Sequence, residues 1–362
     1  MIEVTAAIAL VMALAWSNGA NDVAKGIATL AGSGVTSARR ALFWGSFCTL
    51  CGGIAAAWWG AALLKTFGSD FMTAGFQIDL IFVTSALGGA SAWVLLATRL
   101  GLPVSTTHAL LGGIVGGVLS AAGTDGLHTA AVANKALAPL LLSPLLAVAL
   151  CAAILLLARW IGRRVPSWRP GCCPKEQWQH NPYACATDHP SPLKRITREQ
   201  LWHGLHWLSS GVTNFARALN DVPKIAAFLL LTITLAPQSA ALSDVPTIGW
   251  IIAVSIVMTA GSWWGGQRVL DVMAHRVAAI EPASGLAANT GTSLLVLAAT
   301  PLGLPVSTTH VSTGSLMGLR WTNGSAPTEG DALKMILFGW VVTLPVGAVT
   351  AAGLSGVLRT LV

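Results

Sequence analysis

Long apolar runs, separated by short polar islands, make up most of this chain. A helix needs about 20 residues to cross a bilayer, and many of the runs reach or approach that length. The runs cover 4–16, 43–64, 80–98, 105–121, 136–158, 247–263, 277–300, 306–319 and 335–358. Several are too short to span alone, and short segments are tolerated in a membrane only where protein or a water-filled cavity satisfies their backbone. The pattern therefore predicts an all-α integral membrane protein with about 10–12 membrane segments, some of them discontinuous helices or re-entrant hairpins.

The composition agrees with this fold class. Hydrophobic residues make up 54% of the 362 residues and charged residues 10%, whereas soluble domains contain about 25% charged residues. The N-terminus carries Glu3 and no Lys or Arg before the first apolar run, unlike the basic start of a secretory signal peptide. We therefore expect the first segment to remain in the mature protein.

The basic residues are concentrated in one polar stretch between the apolar runs. Eight of the 21 Lys and Arg residues lie there: Arg159, Arg163, Arg164, Arg169, Lys175, Lys194, Arg195 and Arg198. Cytoplasmic loops of membrane proteins carry such an excess of positive charge, and the basic residues form no stripe suited to nucleic acid. We predict a cytoplasmic basic loop at 163–200 in a multi-pass protein of the plasma (inner) membrane.

The same loop contains a group of cysteines, Cys172, Cys173 and Cys185, near His180 and His189. Cys and His are zinc ligands, but two adjacent cysteines followed by a single one do not match the usual paired spacing. Reduced thiols are the ordinary state in the cytoplasm. We predict no metal site, and the role of these cysteines stays open.

The chain contains an internal duplication. The word GLPVSTTH occurs at 101–108 and again at 303–310, and each copy follows a related island, GANDVAKGIA at 19–28 or ALNDVPKIAA at 218–227. Duplicated halves are typical of secondary transporters, which often pack them as inverted repeats around a central substrate site.

The duplication predicts two membrane repeats, 1–162 and 201–362, joined by the 163–200 loop. Inverted repeats need an odd number of crossings in each half. With the loop in the cytoplasm, both termini would then lie outside.

The islands place equivalent charged and amide side chains within apolar surroundings. They are Asn21, Asp22 and Lys25 in the first half, and Asn220, Asp221 and Lys224 in the second. Charges inside a membrane are costly unless paired or facing a cavity, and they mark ion pathways. We predict a helix break at each island, with Pro223 opening a new half-helix whose N-terminus faces an anion. Alternatively, a single Asn-Asp pair acts as a helix cap.

The repeated octapeptides supply hydroxyl groups. Pro103 and Pro305 can open a helix or hairpin arm, and hydroxyls both donate to and accept from a tetrahedral oxyanion. The candidate substrate ligands are Ser105, Thr106, Thr107, Ser307, Thr308 and Thr309. Alternatively, such hydroxyls bond to their own backbone or to a neighbouring helix.

Three further side chains are candidates near these motifs. His108 and His310 end the octapeptides, and we interpret them as structural or proton-handling groups rather than metal ligands. Arg217 precedes Asp221 by four residues and has the uncharged Asn18 as its counterpart. It is either an interfacial anchor or an additional anion ligand in one half.

The doubled Asn-Asp words, each followed by GLPVSTTH, resemble the inorganic phosphate transporter (PiT) family across essentially both halves. The resemblance implies inverted repeats with broken helices, a phosphate site between the halves, cation-coupled uptake and commonly a homodimer. It implies cation-coordinating or gating roles for Asn21, Asp22, Asn220 and Asp221, and phosphate ligation by the two hydroxyl triplets. No cofactor is implied beyond a coupling ion, Na⁺ or H⁺.

The chain departs from the family pattern at one position of each island. The family reads Asn-Asp-x-x-Asn, and this chain has Lys25 and Lys224 in place of the last Asn. A lysine ammonium is a compact charge with three donors. It could replace a coupling sodium ion, or it could simply pair with the nearby aspartate, and the two are compatible. We include both lysines among the phosphate-binding residues.

Several other functions compete with phosphate transport. Sulfate is also tetrahedral but has no proton to donate to Asp22 or Asp221, so phosphate is preferred and a sulfate permease is the alternative. An anion channel would also contain polar islands. An intramembrane hydrolase using Ser105 and His108 is disfavoured because catalysis needs one nucleophile and not two copies; we predict no enzyme activity.

Overall fold

The computed structural model describes residues 2–164, 198–236, 240–276, 280–323 and 330–361. Within these ranges the regular structure is helical, apart from one isolated bridge between Met72 and Leu127. Twelve helices have nine residues or more, and we number them in chain order. They are α1 (Ile2–Asp22), α2 (Ala24–Gly32), α3 (Ala38–Trp59), α4 (Leu80–Arg99), α5 (Thr106–Ala122), α6 (Ala138–Arg164), α7 (Arg198–Thr234), α8 (Thr247–Gly265), α9 (Gln267–His275), α10 (Pro282–Ala299), α11 (Thr308–Asn323) and α12 (Gly330–Leu361).

The predicted all-helical membrane class is confirmed. Each of the nine apolar runs coincides with a helix, in order α1, α3, α4, α5, α6, α8, α10, α11 and α12. In the described part of the chain, seven helical stretches are long and apolar enough to cross a membrane. The predictions for Cys172, Cys173, Cys185 and the 163–200 loop concern residues that lie almost wholly outside the described ranges.

The prediction of a helix break at the second island is wrong. Helix α7 continues for 37 residues through Pro223. The island side chains contact one another within this helix. Lys224 Nζ donates to Asn220 Oδ1 at 2.6 Å and pairs with Asp221 Oδ1 at 3.0 Å. Proline inside a membrane helix is tolerated where neighbouring groups satisfy the freed carbonyl.

The first island interrupts its helix only locally. Helix α1 ends at Asp22 and α2 begins at Ala24, but Val23 between them has helical angles (φ −57°, ψ −34°). Its amide also donates to the Gly19 carbonyl at 3.2 Å. Neither island therefore exposes a free helix N-terminus. The free helix N-termini beside these motifs are those of α5 and α11, at the octapeptides.

The octapeptides do open helices, as predicted. Residues 102–105 and 304–307 are non-helical, and α5 and α11 begin at the first threonine of each triplet. The serine hydroxyls cap these helices, since the oxygens of Ser105 and Ser307 each accept from a histidine amide at 3.2 Å. The two triplets thus stand at the first turn of two equivalent helices.

The helices of the two sequence halves pack reciprocally. Helix α1 packs on α8 of the second half, and α7 packs on α3 of the first. In the same way α5 packs on α12, and α11 packs on α6. The two halves are therefore interlocked. The islands and the octapeptides lie on helices that pack against helices of the other half.

Glycines permit the closest of these contacts. Gly112 and Gly116 of α5 lie against the backbone of α12 at Leu344 and Ala348. At the equivalent positions of α11, Gly314 and Gly318 lie against α6. Small residues allow such close approach of membrane helices.

Replacing Gly116 with alanine is expected to lower the stability of the folded protein. The added methyl group would meet the carbonyl of Ala348, and overpacking typically costs about 1–3 kcal/mol. Gly204→Ala in α7 is the matched control, because a methyl group there meets nothing within 4 Å and alanine favours a helix. Thermal unfolding in detergent should show a lower midpoint for Gly116→Ala alone. Equal midpoints for the two variants would contradict the contact.

Candidate functional site

The predicted site residues lie together at the centre of the helices, shielded from solvent. None of the fourteen is more than 7% exposed. They are Asn21, Asp22, Lys25, Asn220, Asp221, Lys224, Ser105, Thr106, Thr107, Ser307, Thr308, Thr309, His108 and His310. Among the described residues, the only buried Asp, Glu, Lys and Arg side chains are those of the two islands and Arg217.

Lys224 has an oxygen environment drawn from both halves. Its Nζ lies 2.6 Å from Asn220 Oδ1, 3.0 Å from Asp221 Oδ1 and 2.7 Å from Thr107 Oγ1. The carbonyl oxygen of Val306 lies 3.4 Å away. An amide, a carboxylate, a hydroxyl and a backbone carbonyl thus surround the ammonium group.

Lys25 is arranged in a related way. Its Nζ pairs with Asp22 Oδ1, and it lies 3.4 Å from Thr308 Oγ1 of the second half. Each lysine is therefore paired with the aspartate of its own island and directed at a threonine of the opposite half. Of the two, Lys224 has the more complete set of partners.

Asn18 connects the two islands. Its Nδ2 group lies 3.1 Å from Asp22 Oδ2 and 3.4 Å from Asp221 Oδ2. The same group lies 3.0 Å from Thr106 Oγ1. Both aspartates and one hydroxyl triplet consequently meet at a single amide.

The island asparagines bond mainly to the protein framework. Asn21 Nδ2 donates to Thr98 Oγ1 at 3.1 Å and to the Leu102 carbonyl at 2.8 Å, and its Oδ1 accepts from the Val104 amide at 3.1 Å. Asn220 Nδ2 donates to Thr300 Oγ1 at 2.9 Å. Asn21 thereby contacts α4, Asn220 contacts the residue that directly follows α10, and Asn21 also fixes the extended segment before α5.

The six triplet hydroxyls divide into distinct groups. Ser105 and Ser307 cap their helices, and Thr309 Oγ1 donates to the Val104 carbonyl at 2.7 Å. Thr106, Thr107 and Thr308 instead accept from Asn18, Lys224 and Lys25. These last three threonines are the hydroxyls in direct contact with the charged cluster.

The rings of the two histidines lie against each other at a tilt of 41°. The ring centroids of His108 and His310 are 4.4 Å apart, and His310 also lies 3.9 Å from the ring of Trp340. His108 Nδ1 is 2.8 Å from Ser105 Oγ, whereas His310 Nε2 is buried without a hydrogen-bond partner. They link the N-terminal turns of α5 and α11, next to the cluster.

The structure brings Arg217 into the cluster, which the sequence left open. Its Nη1 donates to Asn18 Oδ1 at 3.1 Å and its Nη2 to Thr49 Oγ1 at 2.6 Å. Asn18 and Arg217 are equivalent in the two halves, since each stands three residues before its island asparagine. That register was the signal that could have identified Asn18 as a member of the cluster.

Among the described residues, no group of three or more His, Cys, Asp and Glu side chains is arranged to hold a metal ion. The cluster presents ammonium, guanidinium, carboxylate, amide and hydroxyl groups. Such groups bind a small oxyanion through charge and hydrogen bonds.

Comparison with known proteins decides the family. The model of the phosphate transporter family matches residues 18–351, which contain both islands and both octapeptides. The chain belongs to the phosphate transporter family. This family membership agrees with the resemblance seen in the repeated motifs.

Relatives in the family align along nearly the whole chain. A "probable low-affinity inorganic phosphate transporter" of Mycobacterium leprae is 28% identical over 349 residues, covering 95% of this chain and 76% of the relative. A protein of the same description from Bacillus subtilis is 24% identical over 343 residues, covering 94% and 92%. A solved structure described as "the sodium-dependent phosphate transporter" superposes with a TM-score of 0.79 at 22% identity over the full length of both chains. The last match shows that the fold is shared.

Proposed function

We propose that this phosphate transporter family member is a secondary transporter that carries inorganic phosphate across the membrane by alternating access. The observation that carries the proposal is the meeting of two charged islands and two hydroxyl triplets at one buried cluster, with contacts from each half to the other. The relatives' descriptions name inorganic phosphate as the substrate of those proteins.

The two halves are proposed to act as inverted repeats. The first repeat is 1–162, the basic cytoplasmic loop is 163–200 and the second repeat is 201–362, with both termini outside the plasma (inner) membrane. The reciprocal packing of α1 on α8 and of α7 on α3 supports a two-fold relation between the halves. Labelling of single cysteines introduced near each terminus, from outside and from inside, tests the orientation.

Phosphate is proposed to bind between the lysines and the threonine hydroxyls. In the structure the lysine of one half contacts a threonine of the other, so an oxyanion could take hydrogen bonds from both after a small separation of the halves. Thr106, Thr107 and Thr308 contact the cluster directly, and the other triplet hydroxyls stand in the same first turns. Rocking of one half against the other would open the cluster to alternate sides of the membrane.

Asp22 and Asp221 give a reason for phosphate rather than sulfate. A carboxylate accepts hydrogen bonds only, and phosphate near neutral pH still carries a proton that it can donate. Sulfate carries none, so it would meet two carboxylates without a donor. A sulfate permease is the second candidate because hydroxyls alone do not distinguish the two anions.

The lysines are proposed to replace coupling sodium ions. The four oxygens around Lys224 Nζ are of the kinds that coordinate Na⁺ in transporters, and the ammonium group already occupies their centre. Transport would then be driven by protons or be weakly coupled, with His108 and His310 as proton-handling groups. Uptake with and without a sodium gradient tests the replacement.

The experiment that tests the proposed function is uptake of radiolabelled phosphate into liposomes that contain the purified protein. Arsenate, a close analogue, is expected to compete strongly and sulfate weakly, at both an acidic and an alkaline pH. Counterflow of labelled phosphate against unlabelled phosphate should saturate, as alternating access requires. Stronger competition by sulfate than by arsenate would favour the sulfate permease, and conductance without saturable counterflow would indicate a channel.

The family resemblance also leads us to propose a homodimer. The dimer would place two independent transport sites side by side in the bilayer. Native mass spectrometry of the protein in detergent, which gives the mass of the intact assembly, tests this proposal.

A further inference from the structure

Arg217 is a buried cation that forms no ion pair within the described residues. Its side chain is 1% exposed and is the largest fully buried side chain in the described part of the chain. The groups that accept from it are the Asn18 amide and the Thr49 hydroxyl, with Met258 Sδ at 4.0 Å. Within the described residues no carboxylate forms an ion pair with it, and its Nε group is buried without a partner.

The other buried charges of the site cancel in pairs. Lys25 pairs with Asp22 and Lys224 pairs with Asp221, each within one island. Among the described residues these four and Arg217 are the buried Asp, Glu, Lys and Arg side chains. The site therefore carries one formal positive charge in excess, and Arg217 is its one buried cation without an ion-pair partner among the described residues.

An excess cation in such a place is costly without a counter-charge. Removing an ion from water costs several kcal/mol even after the protein relaxes, unless an opposite charge compensates it. Here the side-chain amide of Asn18 links the guanidinium to the first hydroxyl triplet, since it accepts from Arg217 and donates to Thr106. An oxyanion at the triplets would supply the counter-charge.

The contact between Asn18 and Arg217 also explains why the excess charge occurs in one half only. The two residues are equivalent positions of the repeats, and they touch each other where the halves meet. Two arginines could not bond there, since a guanidinium has donors and no acceptor. An asparagine facing an arginine gives one donor and one acceptor, with a single added charge.

We propose that Arg217 is a specificity-determining residue that supplies the uncompensated charge of the site and thereby favours the doubly charged form of the oxyanion. The inference rests on the proposed function, because it takes the triplets as the anion site. A Coulomb interaction scales with the charge of the ligand. Loss of the guanidinium charge must therefore weaken a dianion more than a monoanion.

The test compares the KM of phosphate uptake in wild type and Arg217→Gln, at an acidic pH where phosphate is mainly a monoanion and an alkaline pH where it is mainly a dianion. Glutamine keeps a donor for Asn18 and removes the charge. We expect KM to rise about tenfold at alkaline pH and about threefold at acidic pH. Arg268→Gln is the matched control, since Arg268 is exposed and bonds to the Arg99 carbonyl at 2.9 Å; its KM should follow wild type at both pH values.

The outcomes separate the inference from the proposed function. An unchanged KM, or an equal rise at both pH values, would mean that Arg217 is structural and would overturn the inference while phosphate transport stands. If wild type takes up no phosphate, the proposed function fails and the inference fails with it. Should Arg217→Gln not fold, Arg217→Lys decides: it keeps the charge, so its ratio of KM at the two pH values must equal that of wild type, and a changed ratio overturns the inference.

Discussion

Replacing Lys224 with methionine is expected to lower phosphate uptake about a hundredfold, since charge-assisted hydrogen bonds are worth about 1.5–3 kcal/mol each. The variant loses the ammonium that contacts Thr107 and Val306 of opposite halves. It also leaves Asp221 without its ion-pair partner in a buried place. Breaking a buried pair in this way typically costs about 3–5 kcal/mol of stability.

A second variant separates stability from transport. Asp221→Asn combined with Lys224→Met removes both charges and should recover most of the lost stability, because no unpaired charge remains. Uptake should stay as low as in the single variant, since the anion still lacks the ammonium. Uptake into liposomes and thermal unfolding in detergent measure the two effects.

Lys135→Met is the matched control for this pair of variants. Lys135 pairs with Asp70 at 2.8 Å, the same type of contact, but its side chain is 50% exposed. Exposed ion pairs contribute about 0–1 kcal/mol, so the control should retain both stability and uptake. Uptake at the wild-type rate by Asp221→Asn combined with Lys224→Met would show that Lys224 has no part in phosphate binding.

Exchanging both lysines for asparagine is expected to change the sodium dependence of transport. Wild-type uptake should differ by less than about twofold between sodium and a large organic cation, because a covalently held ammonium already fills each oxygen site. In Lys25→Asn with Lys224→Asn, two carboxylates remain without their cations. Sodium ions are then expected to occupy the emptied oxygen sites and to raise uptake at least about tenfold.

The measurement is the initial rate of uptake with imposed sodium gradients of several sizes. Lys135→Asn serves as the control for adding an asparagine elsewhere, and it should behave like wild type. Strong sodium dependence of the wild-type protein would rule out the replacement of sodium by lysine. Sodium independence of the double variant would also contradict it, provided that the variant still binds phosphate.

The sequence was sufficient to predict the apolar helices. Their apolar runs are continuous, and every one of the nine became a helix. Helix α7 was not among them, because its buried face carries Asn214, Arg217, Asn220, Asp221 and Lys224, which lower the hydropathy of the segment. A helix whose polar face is buried by other helices lacks a long continuous apolar run, so hydropathy alone does not predict it.

The proximity of the candidate residues was easier to predict than their individual contacts. The duplicated motifs place the islands and triplets in equivalent positions, and the structure brings them together. That Arg217 bonds to Asn18 depends on how one half lies against the other, and that Asn21 fixes the segment before α5 depends on how α1 packs on α4 within the first half. Local sequence patterns carry no information about that packing, so these contacts required the structure.

The pairing of lysine and aspartate three residues apart has a consequence for biogenesis. A membrane protein is inserted during synthesis with its N-terminal segments first. Asp22 and Lys25 can therefore form their ion pair within the first segment before the second half has been made. Arg217 forms no ion pair within the described residues and instead donates to Asn18 and Thr49, which are inserted earlier. The order of synthesis therefore suits the charges: the self-neutralising segment comes first, and the arginine arrives when its acceptors are already in the membrane.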